Sequence, residues 1–205
     1  MPSWNDLANE IQELGGSFDV IRRRYLKDLS DYTGRNTILY YSGWLQKPGV
    51  QGAEVNDSDK NGFMATIHNL DKSKGLDLIL HTPGGDIAAT ESLVDYLRQM
   101  FGNNVRAVVP QLAMSAGTMI ACSTKSILMG NQSSLGPIDP QFGGISAHGL
   151  VEEFKRAKQE IMDNPSLIPV WQPILARYNP TLVGDCEKAI EWANEMVAQW
   201  LSDSM

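Results

Sequence analysis

Long apolar runs are missing from this chain. No stretch of about 18 consecutive apolar residues occurs in its 205 residues, so the sequence offers no transmembrane helix. The opening Met-Pro-Ser-Trp-Asn-Asp-Leu has no cationic stretch leading into an apolar core, so it lacks the character of a secretory leader, and cytoplasm is the expected compartment. Cysteine is scarce. Cys122 and Cys186 are the 2 in the chain, too few for a disulfide framework, and no CxxC spacing suggests a metal. Cys122 lies in an apolar run and is expected to be a small buried side chain. Positive charge is in short supply as well. Lys and Arg number 17 against 24 Asp and Glu, giving a formal charge of -7 and a pI of about 4.9. That balance gives no footprint for nucleic acid and no attraction to an anionic membrane face. The one tight basic run, Arg22, Arg23 and Arg24, falls in a predicted helix and reads as a solvated face. Neither GxGxxG nor GxxxxGK[ST] is present, which removes the usual dinucleotide and nucleotide fingerprints.

What remains is the composition of an ordinary folded domain, 42% hydrophobic and 20% charged. Ser3 can cap a first helix with Leu7, Ile11 and Leu14 on one face, and Gly15-Gly16 breaks it. Phe18, Ile21, Tyr25 and Leu29 keep helical spacing in a second. From Thr37 the pattern changes to strands at residues 37–42, 76–81, 105–109 and 126–129, with helices predicted at 87–100 and 115–123. Residues 46–62 read as a polar loop and 63–70 as a short helix. Helices are predicted again at 149–162 and 181–201, around a proline-rich bend carrying Pro165, Pro169 and Pro173. Strands alternating with helices at this spacing predict an α/β domain with mostly parallel crossovers.

Two segments could carry chemistry. His81-Thr82-Pro83-Gly84-Gly85-Asp86 follows a buried strand and opens a helix. Its glycines let the backbone approach a ligand, and the helix start adds partial positive charge, which suits a phosphate or a developing oxyanion. A lone Pro-Gly-Gly is more often a plain strand-to-helix turn. Ala113-Met114-Ser115-Ala116-Gly117-Thr118 also follows a strand, and puts a hydroxyl at the start of a small-residue helix beside the Ala116 N–H. An isolated Ser there is more often only a helix cap. Together the two shift the balance, because strand ends of a parallel sheet converge. One segment offers a nucleophile and the other backbone donors.

These two segments, followed by Leu135-Gly136-Pro137-Ile138-Asp139-Pro140-Gln141, resemble the serine dehydrogenase proteinase family, related to Clp protease and signal peptide peptidase A in the Clp/crotonase superfamily. The resemblance covers about residues 75–160. It implies a Clp/crotonase-like parallel-sheet spiral with a helical handle and N-terminal helices. The expected divisions are a helical segment at 1–34, a catalytic core at 35–147, and a handle with a last helix at 148–205. It implies a serine endopeptidase with Ser115 as nucleophile, Gly85 and Ala116 supplying oxyanion N–H groups, and Gly84 shaping the turn. It implies a peptide or protein substrate, a homo-oligomer, and neither cofactor nor metal.

The general base is the open position. Where Clp protease places its triad His this chain has Asp139, and related peptidases use a lysine near the handle. Lys155 is the favoured base, with Asp139 orienting it or lining the pocket. Lys158 and His148 are alternatives, although Lys155 and Lys158 sit in a mixed-charge stretch that also suits a solvated face. His81 is expected to order the turn and His68 to be structural. Family members usually continue past the handle into a polar segment bearing His, and a base carried there would lie beyond Met205. A silent scaffold of the same fold and a crotonase-type acyl-CoA enzyme are the competing readings. The second lacks any recognisable adenine or pantetheine site.

Overall fold

A computed structural model describes residues 3–204. Two N-terminal helices, α1 (Trp4–Glu13) and α2 (Phe18–Thr33), are followed by β1 (Asn36–Tyr41), α3 (Asp57–Ile67), β2 (Leu76–His81), α4 (Ile87–Phe101) and β3 (Val105–Val109). Then come β4 (Leu112–Ala113), α5 (Ala116–Cys122), β5 (Ser126–Met129) and β6 (Ser134–Leu135). The short hairpin β7 (Gln141–Phe142) and β8 (Ile145–Ser146) leads into α6 (Ala147–Asp163), α7 (Ile168–Leu175) and α8 (Leu182–Ser204).

The main sheet runs β1-β2-β3-β5, with every pair parallel. A second, smaller ladder sits past the strand ends in the same order. Val55 bridges Gly85, Thr82 bridges Ala113, and β4 pairs with β6. Each turn of the chain therefore contributes a long strand and then a short bridging segment, so the sheet winds as a spiral. This is the Clp-like α/β architecture expected from the sequence. β2 is buried along nearly its whole length, as expected of a central parallel strand covered on both faces. Leu76, Leu78 and Leu80 pack with Leu93, Val94, Leu97 and Phe101 of α4 and with Met119 and Ile120 of α5. The last helix joins this same core through Ala193, Met196 and Trp200, while Arg98 Nη2 donates to Trp200 O at 3.2 Å. A separate cluster of Ala147, Leu150, Val151 and Cys186 binds α6 to α8. Among the described residues no helix is long and apolar enough to cross a membrane.

Several expectations need correction. Residues 57–62, read as loop, are the first half of α3. Asn56 caps it, accepting Ser58 N–H at 3.0 Å while Asp59 accepts Asn56 N–H at 2.9 Å. Acidic first-turn residues suit the helix dipole, so the polarity belongs to a capped helix start. The proline-rich bend contains helix too. Pro165 opens a 3-10 turn and Pro169 lies in the first turn of α7, where a missing N–H costs no intrahelical bond. Cys122 is half-buried at the C-terminus of α5, whereas Cys186 is fully buried.

Candidate active site

The turn after β2 and the entry to α5 form one hydrogen-bonded unit. Thr82 N–H donates to Leu112 O at 3.2 Å, and Met114 N–H donates to Thr82 O at 3.0 Å. The buried Thr82 Oγ1 accepts Gly84 N–H at 3.2 Å. On the other flank Val55 N–H donates to Gly84 O at 2.8 Å and Asp86 N–H donates to Val55 O at 2.9 Å. The approach is so close that side chains have no room. A Cβ at Gly84, whose φ is 103°, would lie 2.7 Å from Ser115 Cβ and 2.8 Å from Met114 O. At Gly85 it would lie 2.3 Å from both Val55 N and Val55 O. Glycine is what allows the turn to rest on Ser115.

Ser115 itself is unusual. Its φ is 48° and its ψ -113°, and it is the one non-glycine residue with positive φ among the described residues. Such a conformation costs on the order of 1–3 kcal/mol and is found where surrounding structure enforces it. The surrounding structure here is the Thr82–Met114 bond on one side and α5 on the other, where Met119 N–H donates to Ser115 O at 3.0 Å. The hydroxyl makes no capping bond to the helix it precedes, so the helix-cap explanation of this serine fails. The Gly85 and Ala116 N–H groups have no acceptor among the described residues.

A cleft of about 510 Å³ opens over this unit, lined by Ser115, Gly84, Gly85 and Asp139 and walled by Met119, Ile138, Phe142 and Trp192. Thr118 fixes the far wall. Its Oγ1 accepts Gly136 N–H at 3.0 Å and lies 2.8 Å from Ala113 O and 2.9 Å from Gly136 O. Beyond Gly136 the chain reaches Asp139, and the β7–β8 hairpin then folds it back. Ala147 N–H donates to Pro140 O at 2.8 Å, which sets the start of α6 beside Asp139. His148 Nδ1 lies 2.8 Å from Asp139 Oδ1, and the His148 N–H donates to the same oxygen at 3.3 Å. Burial raises the Asp139 carboxyl, but hydrogen bonds from Ser146 and His148 outweigh it and hold the group below the usual carboxylate range. Asp139 is thus an ionised partner for an imidazole.

The model of the ClpP-like SDH-type serine proteinases matches residues 40–205. The chain belongs to that family. Two curated relatives from Methanocaldococcus jannaschii, both uncharacterized proteins, are similar to it. One is 34% identical over 73% of this chain and 53% of its own length. The other is 28% identical over 73% of this chain and 46% of its own length. The chain therefore spans about half the length of the curated relatives it matches. Among solved structures, a mutant ClpP1 from Listeria monocytogenes overlaps 47% of this chain and 51% of its own, at 16% identity and a TM-score of 0.34.

In this SDH-type proteinase chain, Ser115, Gly84, Gly85 and Asp139 line one cleft, with the buried Ala116 directly behind Ser115. Lys155 is not among them. It is exposed and lines a second cleft between α6 and α8, together with Glu152, Glu187, Glu191 and Glu195. The inward face of α6 is taken by Ala147, Leu150, Val151 and Ala157, which leaves Lys155 and Lys158 facing solvent. His148 also lines that second cleft, and it meets the Ser115 cleft through its contact with Asp139. The signal for that contact in the sequence is Gly143-Gly144 between Phe142 and Ile145, a hairpin cue that brings residues 139 and 148 together. His81 is buried, and its ring packs 5.1 Å from Tyr41 and 4.6 Å from Trp44, centroid to centroid. Burial lowers its pKa and favours the neutral ring, so it anchors the loop that leads to Val55.

Proposed function

We propose that this chain is a peptidase that forms an acyl-enzyme on Ser115. The observation that carries the reading is the strained, uncapped Ser115 held against Gly84 at the floor of the cleft. Ser115 Oγ attacks the scissile carbonyl carbon, and the Gly85 and Ala116 N–H groups receive the oxyanion. A group of this kind typically contributes about 10²–10³ in rate. The proton passes to His148. A neutral imidazole donates Nδ1–H to Asp139 and keeps the Nε2 lone pair for the incoming proton. His148 then gives that proton to the leaving amine, which breaks the peptide bond. Water reverses the sequence to release the acid and regenerate Ser115.

On this account His148→Gln slows labelling of Ser115 by a fluorophosphonate by roughly 10²–10⁴-fold. Lys155→Met leaves the labelling rate at the wild-type value. Stopped-time labelling followed by gel fluorescence measures both. Equal rates for His148→Gln and wild type would move the base elsewhere, and a collapse in Lys155→Met would restore lysine to the mechanism.

The same reading makes the protein a homo-oligomer. Trp4 is 87% exposed, Phe18 62% and Tyr32 89%, an apolar surface on α1 and α2 that suits subunit contact. Light scattering is expected to give a mass well above that of the 22.6 kDa chain at micromolar concentration. A mass equal to one chain would contradict it.

A further inference from the structure

The walls of the Ser115 cleft are not neutral. Glu54, Asp86 and Asp139 contribute to its lining, and no Lys or Arg does. Asp139 is committed to His148. The other two are placed differently. Glu54 is exposed, and only its main-chain oxygen is engaged, accepting Asn56 Nδ2–H at 2.7 Å. Asp86 is exposed and uses Oδ1 to cap α4, accepting Ala89 N–H at 2.7 Å, while its Oδ2 has no partner among the described residues. The Val55–Gly85 bridge ties these two segments together, so both carboxylates are set beside the proposed oxyanion donor Gly85. The same cleft is lined by Met119, Ile138, Phe142 and Trp192, apolar surface that includes aromatic rings.

We infer that the cleft selects peptides carrying a lysine or arginine next to the bond that Ser115 attacks. This rests on the peptidase reading above. A long aliphatic stem matches the apolar wall, and a cationic end matches Glu54 and Asp86. Trp192 adds a ring face for the same cation. An acidic peptide meets like charge at the same place and is rejected.

Binding separates this inference from catalysis. Fluorescent peptides of one apolar frame, carrying Lys, Gln or Glu at a single scanned position, are titrated into the Ser115→Ala protein by anisotropy. The Lys peptide is expected to bind about fivefold more tightly than the Gln peptide, an effect of the size given by exposed ion pairs, and the Glu peptide more weakly than both. In Glu54→Gln/Asp86→Asn the ratio falls towards 1. In Glu152→Gln/Glu187→Gln, which removes the same charge from the second cleft, it is unchanged. Equal binding of Lys and Gln peptides, no binding of any, or equal loss in both double variants would overturn the inference. Failure of the peptidase reading is seen separately, as absence of a fluorophosphonate adduct on wild-type Ser115.

Discussion

Ser115→Ala removes peptide hydrolysis, by roughly 10⁶-fold relative to wild type, and leaves the unfolding transition where it was. The size follows from what is deleted. In the proposed mechanism the hydroxyl oxygen forms the acyl bond, and the backbone donors left behind have no nucleophile to assist. The unchanged stability follows from what is not deleted. The Ser115 hydroxyl caps nothing, and alanine keeps both the Cβ and the strained φ of 48°. Ser115→Gly separates the two effects. It is equally inactive, but glycine adopts positive φ without penalty, so this variant gains about 1 kcal/mol in stability. Urea denaturation of the three proteins measures it. A large loss of stability in Ser115→Ala would mean that the hydroxyl has a structural role.

The second large effect lies at the opposite end of the sheet. Asp77→Ala is expected to cost about 3–5 kcal/mol, because it strands two cations against a carboxylate that is gone. The Asp77 side chain is 2% exposed, and it meets Arg35 Nε at 2.7 Å and Arg106 through Nε at 2.8 Å and Nη2 at 2.7 Å. Arg35 goes on to Asn104 O at 2.8 Å, so the network ties the starts of β1, β2 and β3. Burial raises the Asp77 carboxyl, but the hydrogen bonds of Arg106 and Arg35 outweigh it and the group ends below its ordinary 3.8. A depressed carboxylate contributes stability that is fully present above that ordinary value and is lost as pH falls through the lower folded value. Wild type should therefore lose this increment in strong acid, whereas Asp77→Ala shows a flatter acid limb. A difference below about 1 kcal/mol at neutral pH would show the network to be an exposed-type pair.

The strands β2, β3 and β5 were legible in the sequence to the residue, because predominantly apolar runs, two of them carrying Asp77 and Arg106 within them, end at turn residues on both sides. α3 was not, because its polar first turn carries an Asn cap and acids that look like loop until the capping bonds are seen. β4 and β6 have two residues each, and their existence depends on a partner 20 or so positions away, roughly the scale of a parallel crossover. Ser115 and the Gly84-Gly85 turn were readable as motifs. Their contact was not, because it is set by the register between Thr82 and Ala113, a tertiary fact. The general base was not legible for a local reason. The sequence puts both Lys155 and His148 on α6, but it does not show that the apolar stripe leaves Lys155 exposed while the β7–β8 hairpin carries His148 to Asp139.

Intact-mass and peptide-mapping analysis of the wild-type chain after reaction with a fluorophosphonate tests the central claim most directly. The account predicts one adduct per chain, on Ser115 and on no other serine, and its loss when the protein is unfolded before labelling. An unmodified Ser115 in the folded protein, or an adduct spread over several serines, would contradict it.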